Sequence, residues 1–169
     1  LEISCDCLPP GKLWSIVFVS LGRCRYEKQC FFSACSFRCK GAKEESRAMF
    51  REMRRKKQAL SQEECAAVLR RGTSGVLALS GDGGYPYAVP ISYVYDGREL
   101  YFHCAKSGHK LDAVRRNPKA SFCVIDQDQV VPEEYTTYFR SVIVFGTIRI
   151  LEDEQEKRAA IEKLAAKYA

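Results

Sequence analysis

The chain has 169 residues, 46% of them hydrophobic and 28% charged, with 27 basic and 21 acidic side chains and a formal net charge of +6. That length allows one domain with a full core, and the composition excludes collagen-like, wholly disordered and multi-span membrane proteins. Residues 1–48 carry 8 basic and 5 acidic side chains, and the remainder 19 and 16. Neither part is a polycation built for nucleic-acid backbones, although a mild basic bias suits a small anionic ligand.

Cys5, Cys7, Cys24, Cys30, Cys35 and Cys39 crowd the first part of the chain. They form no CxxC pair and have no histidine nearby, so a zinc site is not expected. A disulfide framework would need a secreted context. KLWSIVFVSL at Lys12–Leu21 has the length of a signal-peptide core, but Glu2 and Asp6 stand where positive charge belongs. It is too short to span a bilayer as a helix. The expected location is cytoplasmic, with no membrane partner.

Residues 1–48 show no sustained period of 2 or 3.6 and no capped helix. Lys43-Glu44-Glu45 is compatible with the codons AAG-GAG-GAN, a bacterial ribosome-binding sequence, followed by the codons of Ser46, Arg47 and Ala48 and then Met49. Residues 1–48 are therefore read as a leader, poorly ordered or translated upstream sequence. The natural start is expected at Met49 or Met53, with residues 49–169 forming the domain. The competing reading has Trp14, Ile16 and Phe18 docking on that domain as a strand.

From Ser61 the pattern becomes regular. Ser61 and Glu64 form a capping box, Cys65, Val68 and Leu69 an apolar helical stripe, and Gly72 a left-handed helix end. Gly75–Ser80 predicts a strand, Gly81–Gly84 a hairpin turn and Tyr85–Tyr95 the return strand. Asp96-Gly97 makes a second turn before a strand over Glu99–Cys104. Ser107 caps a helix from about Gly108 to Arg116, ended by Asn117-Pro118. Ala120–Ile125 is a strand, and the polar, proline-broken stretch 126–135 a loop or edge excursion. Thr136–Leu151 is one long strand or two bent at Gly146, and Glu152–Tyr168 a helix with a buried stripe. The expected fold is mainly β: an antiparallel barrel with a crossing helix, closing helices and few free edges. No strand follows Tyr168 to cover the barrel edge, so the C-terminus is read as cut short.

Two constellations bear on chemistry. In YFHCAKSGHK at 101–110 a strand ends, turns and opens a helix. A helix start offers unpaired N–H groups and partial positive charge to a phosphate, and Lys106, His109 and Lys110 bring cations there. The bland alternative is a capped surface helix with solvated lysines. In PYAVP at 86–90, two prolines four residues apart share one strand face. They mark an edge, a bulge or a flat ligand face. No dinucleotide or P-loop glycine motif, G-x-S-x-G or H-E-x-x-H occurs, so any chemistry would be carried by a cofactor.

YPYAVP at 85–90, YFH-x-A-x-x-G-x-K at 101–110, R-x-N-P at 115–118, YFRSVIVFGTI at 138–148 and MRRK at 53–56 resemble the flavin-binding split-barrel proteins related to pyridoxamine-phosphate oxidase. Within them the chain is most similar to the nitroimidazole-resistance branch of bacterial proteins. The resemblance covers about Met53 to Tyr168. It implies an FMN-binding split β-barrel, antiparallel and of Greek-key type, with a crossing helix and terminal helices, in a homodimer with FMN at the subunit interface that passes electrons from NAD(P)H to a small oxidised acceptor, nitroaromatics included. It places Val89, Pro90, Ile91 and Ser92 along the isoalloxazine ring, and His103, Cys104, Lys106 and Lys110 along the ribityl phosphate. Arg140 and Ser141 become a polar pair near the flavin. No catalytic residue and no metal site is assigned. Members of this branch usually carry a further strand after the last helix, which has no counterpart here. Two rivals stay open. One is a flavin- or haem-binding carrier without turnover, with His103 or His109 as haem ligand. The other is a nucleic-acid binder using Arg54–Lys57, which lacks interleaved aromatics and is not expected.

Overall fold

The computed structural model describes the backbone of residues 17–27 and, in full, residues 58–169. The six early cysteines other than Cys24 and the MRRK motif lie outside them. The first strand, β1, is Val17–Glu27, and helix α1 is Gln62–Arg71. The capping box forms as the sequence predicts: the Glu64 N–H donates to the Ser61 hydroxyl, and the Ser61 N–H to the Glu64 carboxylate. Cys65, Val68 and Leu69 are buried.

Gly72 departs from expectation. Its φ of −65° and ψ of 134° are extended, not left-handed. A glycine fits there for a steric reason: a Cβ would meet the Tyr93 hydroxyl at 2.7 Å and Val124 Cγ1 at 2.8 Å. α1 needs that close approach because the Tyr93 hydroxyl donates to the Leu69 carbonyl at 2.8 Å.

Strand β2 is Ser74–Ser80 and β3 is Pro86–Tyr95. A short turn over Asp82–Gly84 joins them, with Gly83 and Gly84 at positive φ. β4 is Leu100–Cys104, α2 is His109–Arg116, β5 is Lys119–Val131, β6 is Thr136–Ile150 and α3 is Glu154–Tyr168. All pairings are antiparallel, and β2 to β6 lie in the order β4-β3-β2-β5-β6. Alternation along the strands puts Leu77, Leu79, Tyr93, Phe102, Phe122, Val124 and Val144 inside. Val94 points the other way and packs with Leu151, Ala160 and Leu164 beneath α3.

The stretch 126–135, expected as a loop or edge excursion, is mostly strand and takes the second form. β5 continues to Val131 past an irregularity between Ile125 and Gln127, and Gln127–Val131 pairs with Thr136–Arg140. Cross-strand bonding overrides the polar composition there.

β1 has the largest consequence for the architecture. Alone, the five later strands make an open sheet. β1 pairs with both of its outer strands, with β4 from Val17 to Leu21 and with β6 from Val19 to Glu27, and the six strands form a closed barrel. This differs from the expectation that residues 1–48 stand apart, and it supplies a strand at the edge expected to be bare. Of the residues named in the docking alternative, Phe18 lies in β1, in register with His103; Trp14 and Ile16 lie outside the described residues. A chain beginning at Met49, melted beside the full chain under reducing conditions, is expected to lose about 2 kcal/mol, the scale of burying one large apolar side chain. Equal melting would return residues 1–48 to the leader reading.

The end of α3 is tied to the barrel. The Lys167 ammonium donates to the Gly72 carbonyl at 2.5 Å and lies 4.1 Å from the centre of the Tyr93 ring. The Tyr168 hydroxyl sits beside the carbonyls of Thr73 and Tyr93 and accepts the Tyr93 N–H at 3.1 Å. Among the described residues no helix is long and apolar enough to cross a membrane.

Candidate functional site

Pro86 and Pro90 share the exposed outer face of β3 with Ala88, whereas Tyr87, Val89 and Ile91 turn inward and pack against the core. Val89 and Ile91 therefore offer a ligand on the outer face their backbone only; Pro90 and half-buried Ser92 offer side chains. The β3–β4 ladder covers only Tyr93–Tyr95. Before Tyr93, β3 is paired with β2 alone, which leaves the other edge open beside Pro90 and accommodates a residue without an N–H.

The Tyr93–Phe102 pair is the last of that ladder, so Ser92 and His103 each follow directly on a paired residue where the two strands part. His103 is exposed and Cys104 half-buried. Burial pushes the Cys104 thiol pKa up, while the nearby Lys110 ammonium pulls it the other way. Lys110 thus lies at the end of β4, as the motif reading requires. Lys106 is exposed in the connecting turn.

The helix start differs from the expectation. The N-cap is Gly108, not Ser107, and no side chain caps it. Gly108 has φ 130°, a region that disfavours side chains, and nothing lies within 4 Å of where a Cβ would stand. No side chain accepts from the first N–H groups of α2, of which the Leu111 N–H donates to the Gly108 carbonyl at 2.9 Å; Lys106 and Lys110 flank this start in the sequence. An anion there would gain backbone donors, the helix dipole and two ammonium groups.

His109 is engaged elsewhere. Its ring stacks on Tyr87 with centroids 4.1 Å apart, and Nε2 is 3.4 Å from the Asp82 carboxylate. Arg116 also holds Asp82, at 2.6 Å; this hydrogen bond, with the charges of Arg116 and His109, keeps the carboxyl below the usual carboxylate range. Asn117 donates to Ser80 at 2.9 Å. Together these contacts pin α2 to the β2–β3 turn and fix the direction of its N-terminus. Asp82 and Tyr87 have no signal in local spacing as partners of His109, which is more than twenty residues away.

Arg140 and Ser141 are not brought to this run. They lie on β6, separated from β3 by β2 and β5, or about 14 Å at ordinary strand spacing. Arg140 is ion-paired with Asp126, which Arg71 also holds at 2.5 Å; Ser141 is buried. Asp126 escaped the sequence reading because it falls in the stretch taken for a loop or edge excursion, and its partner Arg71 is far away in the sequence.

A cleft of about 310 Å³ lies away from this face, between the β3–β4 turn, β6 and α3. Four of its charged groups are paired, Lys163 with Asp96 and Arg149 with Glu156, and it includes none of the expected flavin residues. Among the described residues no group of three or more His, Cys, Asp or Glu side chains is placed to hold a metal.

The family model for pyridoxamine 5'-phosphate oxidase matches residues 61–169, which include every element from α1 to α3. The chain belongs to this family. A curated relative, an uncharacterized protein of Rhizobium meliloti, is 34% identical over 96 residues, 57% of this chain and 58% of that protein. The chain thus spans less than two thirds of that relative. A solved FAD-binding protein from Mesorhizobium loti is 31% identical, with a TM-score of 0.51 over 63% of this chain and 75% of that one. A candidate 5-nitroimidazole antibiotic resistance protein from Bacteroides thetaiotaomicron has a TM-score of 0.58 at 22% identity, over 64% of this chain and 67% of that one, a likeness of fold. The chain thus has the split-barrel architecture of the pyridoxamine 5'-phosphate oxidase family.

Proposed function

We propose that this chain is a flavoprotein that binds FMN along the outer face of β3 and passes electrons from a nicotinamide cofactor to a small oxidised acceptor. The observation that carries the reading is the uncapped start of α2, with Gly108 in open space and Lys106 and Lys110 beside it, next to the outward Pro90 and Ser92. The FAD-binding relative supports a flavin as the ligand class.

In this reading Lys106, Lys110 and the first N–H groups of α2 hold the phosphate. Pro90 gives the ring a flat support, with the backbone of Val89 and Ile91. The Ser92 hydroxyl and His103 lie where they orient the ring and donate to its polar edge. Cys104 flanks Lys110. When bound, FMN supplies a ring that accepts and returns a hydride; the protein supplies position and electrostatics. The β3 face is open in one chain, and in this reading a homodimer covers it.

Absorbance of the purified protein and mass spectrometry of the released ligand test the assignment. A flavin band with FMN mass supports it, a Soret band supports the haem carrier, and bound flavin without NAD(P)H oxidation supports a carrier without turnover. Lys110→Ala is expected to weaken FMN binding roughly ten- to hundredfold, the scale of one charge-assisted hydrogen bond, with little change in melting. Flavin titration reads this directly, and unchanged affinity removes Lys110 from the site.

A further inference from the structure

Lys167, in the last turn of α3, is a half-buried amine that the flavin reading does not use. Its ammonium meets no carboxylate among the described residues. It donates to the Gly72 carbonyl at 2.5 Å and stands 4.1 Å from the centre of the Tyr93 ring and 5.7 Å from that of Tyr168. The other lysines of α3 differ: Lys157 is paired with Glu154 and Lys163 with Asp96. Burial without an anion favours the neutral amine, and it holds the Lys167 pKa below the usual lysine value. A neutral amine still donates an N–H to Gly72 and has its lone pair free to react.

The surroundings of this amine accept and do not donate. The carbonyls of Gly72, Thr73 and Tyr93 all meet the end of α3. The first takes Lys167, and the other two lie beside the Tyr168 hydroxyl at 2.5 and 2.8 Å. Arg71, the residue before Gly72, is turned to Asp126. An acceptor brought among these carbonyls would find no donor, and a half-buried acceptor without a donor opposes docking. Loss of the charge would also remove the attraction to the Tyr93 ring.

We infer that Lys167 is an acylation site and that its modification releases the last turn of α3 from the barrel. The substrate class is an acyl phosphate. The Nζ lone pair attacks the acyl carbon, and the new C–N bond replaces the C–O bond to phosphate. Inorganic phosphate leaves with that electron pair, and the surplus amine proton passes to water. Nothing is oxidised or reduced. The product is a neutral amide. Its N–H replaces one donor to Gly72, but its oxygen faces the neighbouring carbonyls and its uncharged end loses the ring. Tyr168 is the next residue, so its hydroxyl leaves Thr73 and Tyr93 with the same turn.

The full chain treated with acetyl phosphate at pH 7, then digested and mapped by mass spectrometry, tests the site. Lys167 is expected to gain acetyl groups about threefold or more faster than exposed Lys119, because each unit of pKa depression raises the free amine about tenfold. The release is read on unmodified protein by limited trypsin cleavage after Arg158, exposed on α3. Lys167→Gln, which carries a neutral amide, is expected to be cut about tenfold faster than the unaltered chain, since cleavage follows the population of the open helix. Lys167→Arg keeps a cation for the ring and the carbonyl and is expected to be cut at close to the unaltered rate. Acetylation of Lys167 slower than that of Lys119 overturns the site. Lys167→Gln cut no faster than the unaltered chain, or Lys167→Arg cut as fast as Lys167→Gln, overturns the release. Neither readout involves flavin, so the outcome is separate from that of the proposed function.

Discussion

Gly75→Ala is expected to destabilise the chain by about 3 kcal/mol, the upper end for overpacking a core. A Cβ at this position in β2 would stand 2.5 Å from Phe122 Cζ, 2.8 Å from Cε1 and 2.6 Å from the Cys123 carbonyl oxygen. None of these can yield easily. Phe122 is fully buried and holds edge contacts with both Tyr93 and Phe102, each at a centroid distance of 4.9 Å. The carbonyl belongs to the strand paired with β2. Urea denaturation of the variant measures the cost, and Phe122→Leu in the same background is expected to return part of it. A loss under about 1 kcal/mol would mean the core gives way more readily than interior packing density allows.

Asp126→Asn carries the next largest effect. The Asp126 side chain is 6% exposed and accepts from the guanidinium groups of Arg71 and Arg140. Burial pushes its pKa up, but the hydrogen bonds and charges of the two arginines outweigh burial and hold the carboxyl below its ordinary value. The carboxylate form is therefore favoured by folding. Its stabilisation is fully present above the unfolded pKa near about 3.9 and is lost as pH falls through the lower folded value. Removing one partner of a buried pair costs about 3–5 kcal/mol, and both arginines are half-exposed, so about 2–3 kcal/mol is expected at pH 7. Denaturation at pH 7 and at pH 3 checks the sign: the gap between variant and unaltered chain narrows in acid. A gap that widens in acid contradicts the assigned direction.

Local chemistry made much of the fold readable. The capping box at Ser61–Glu64, the glycine turns at 83–84 and 97 and the apolar strand runs act within a few residues, and the structure has them where expected. What escaped depends on distant partners. Gln127–Val131 looks like loop by composition and becomes strand because Thr136–Arg140 lies across from it. Residues 17–27 have no period of their own and are held by β4 and β6, more than seventy residues on. The glycine at 72 reads as a helix end, yet the contact that demands it is with Tyr93 and Val124.

The candidate site divides the same way. Lys106, Gly108 and Lys110 stand out because a strand, a turn and a helix start follow one another directly. His109 reads as one more cation, and only the folded chain turns it toward Asp82 and Tyr87. Arg140 and Ser141 follow from family motif alone, and within one chain they lie three strands away from β3.

The Tyr168 hydroxyl has a kinetic consequence. The amide of Tyr93, in the middle of the sheet, donates to a side chain at the end of α3. Its exchange with deuterium is gated by that helix lifting away, an opening smaller than unfolding of the barrel. Amides bonded within the sheet ladders are expected to exchange by the larger event instead. Tyr93 is thus a built-in clock for the docking of α3, set one residue from Ser92 and readable without any bound ligand.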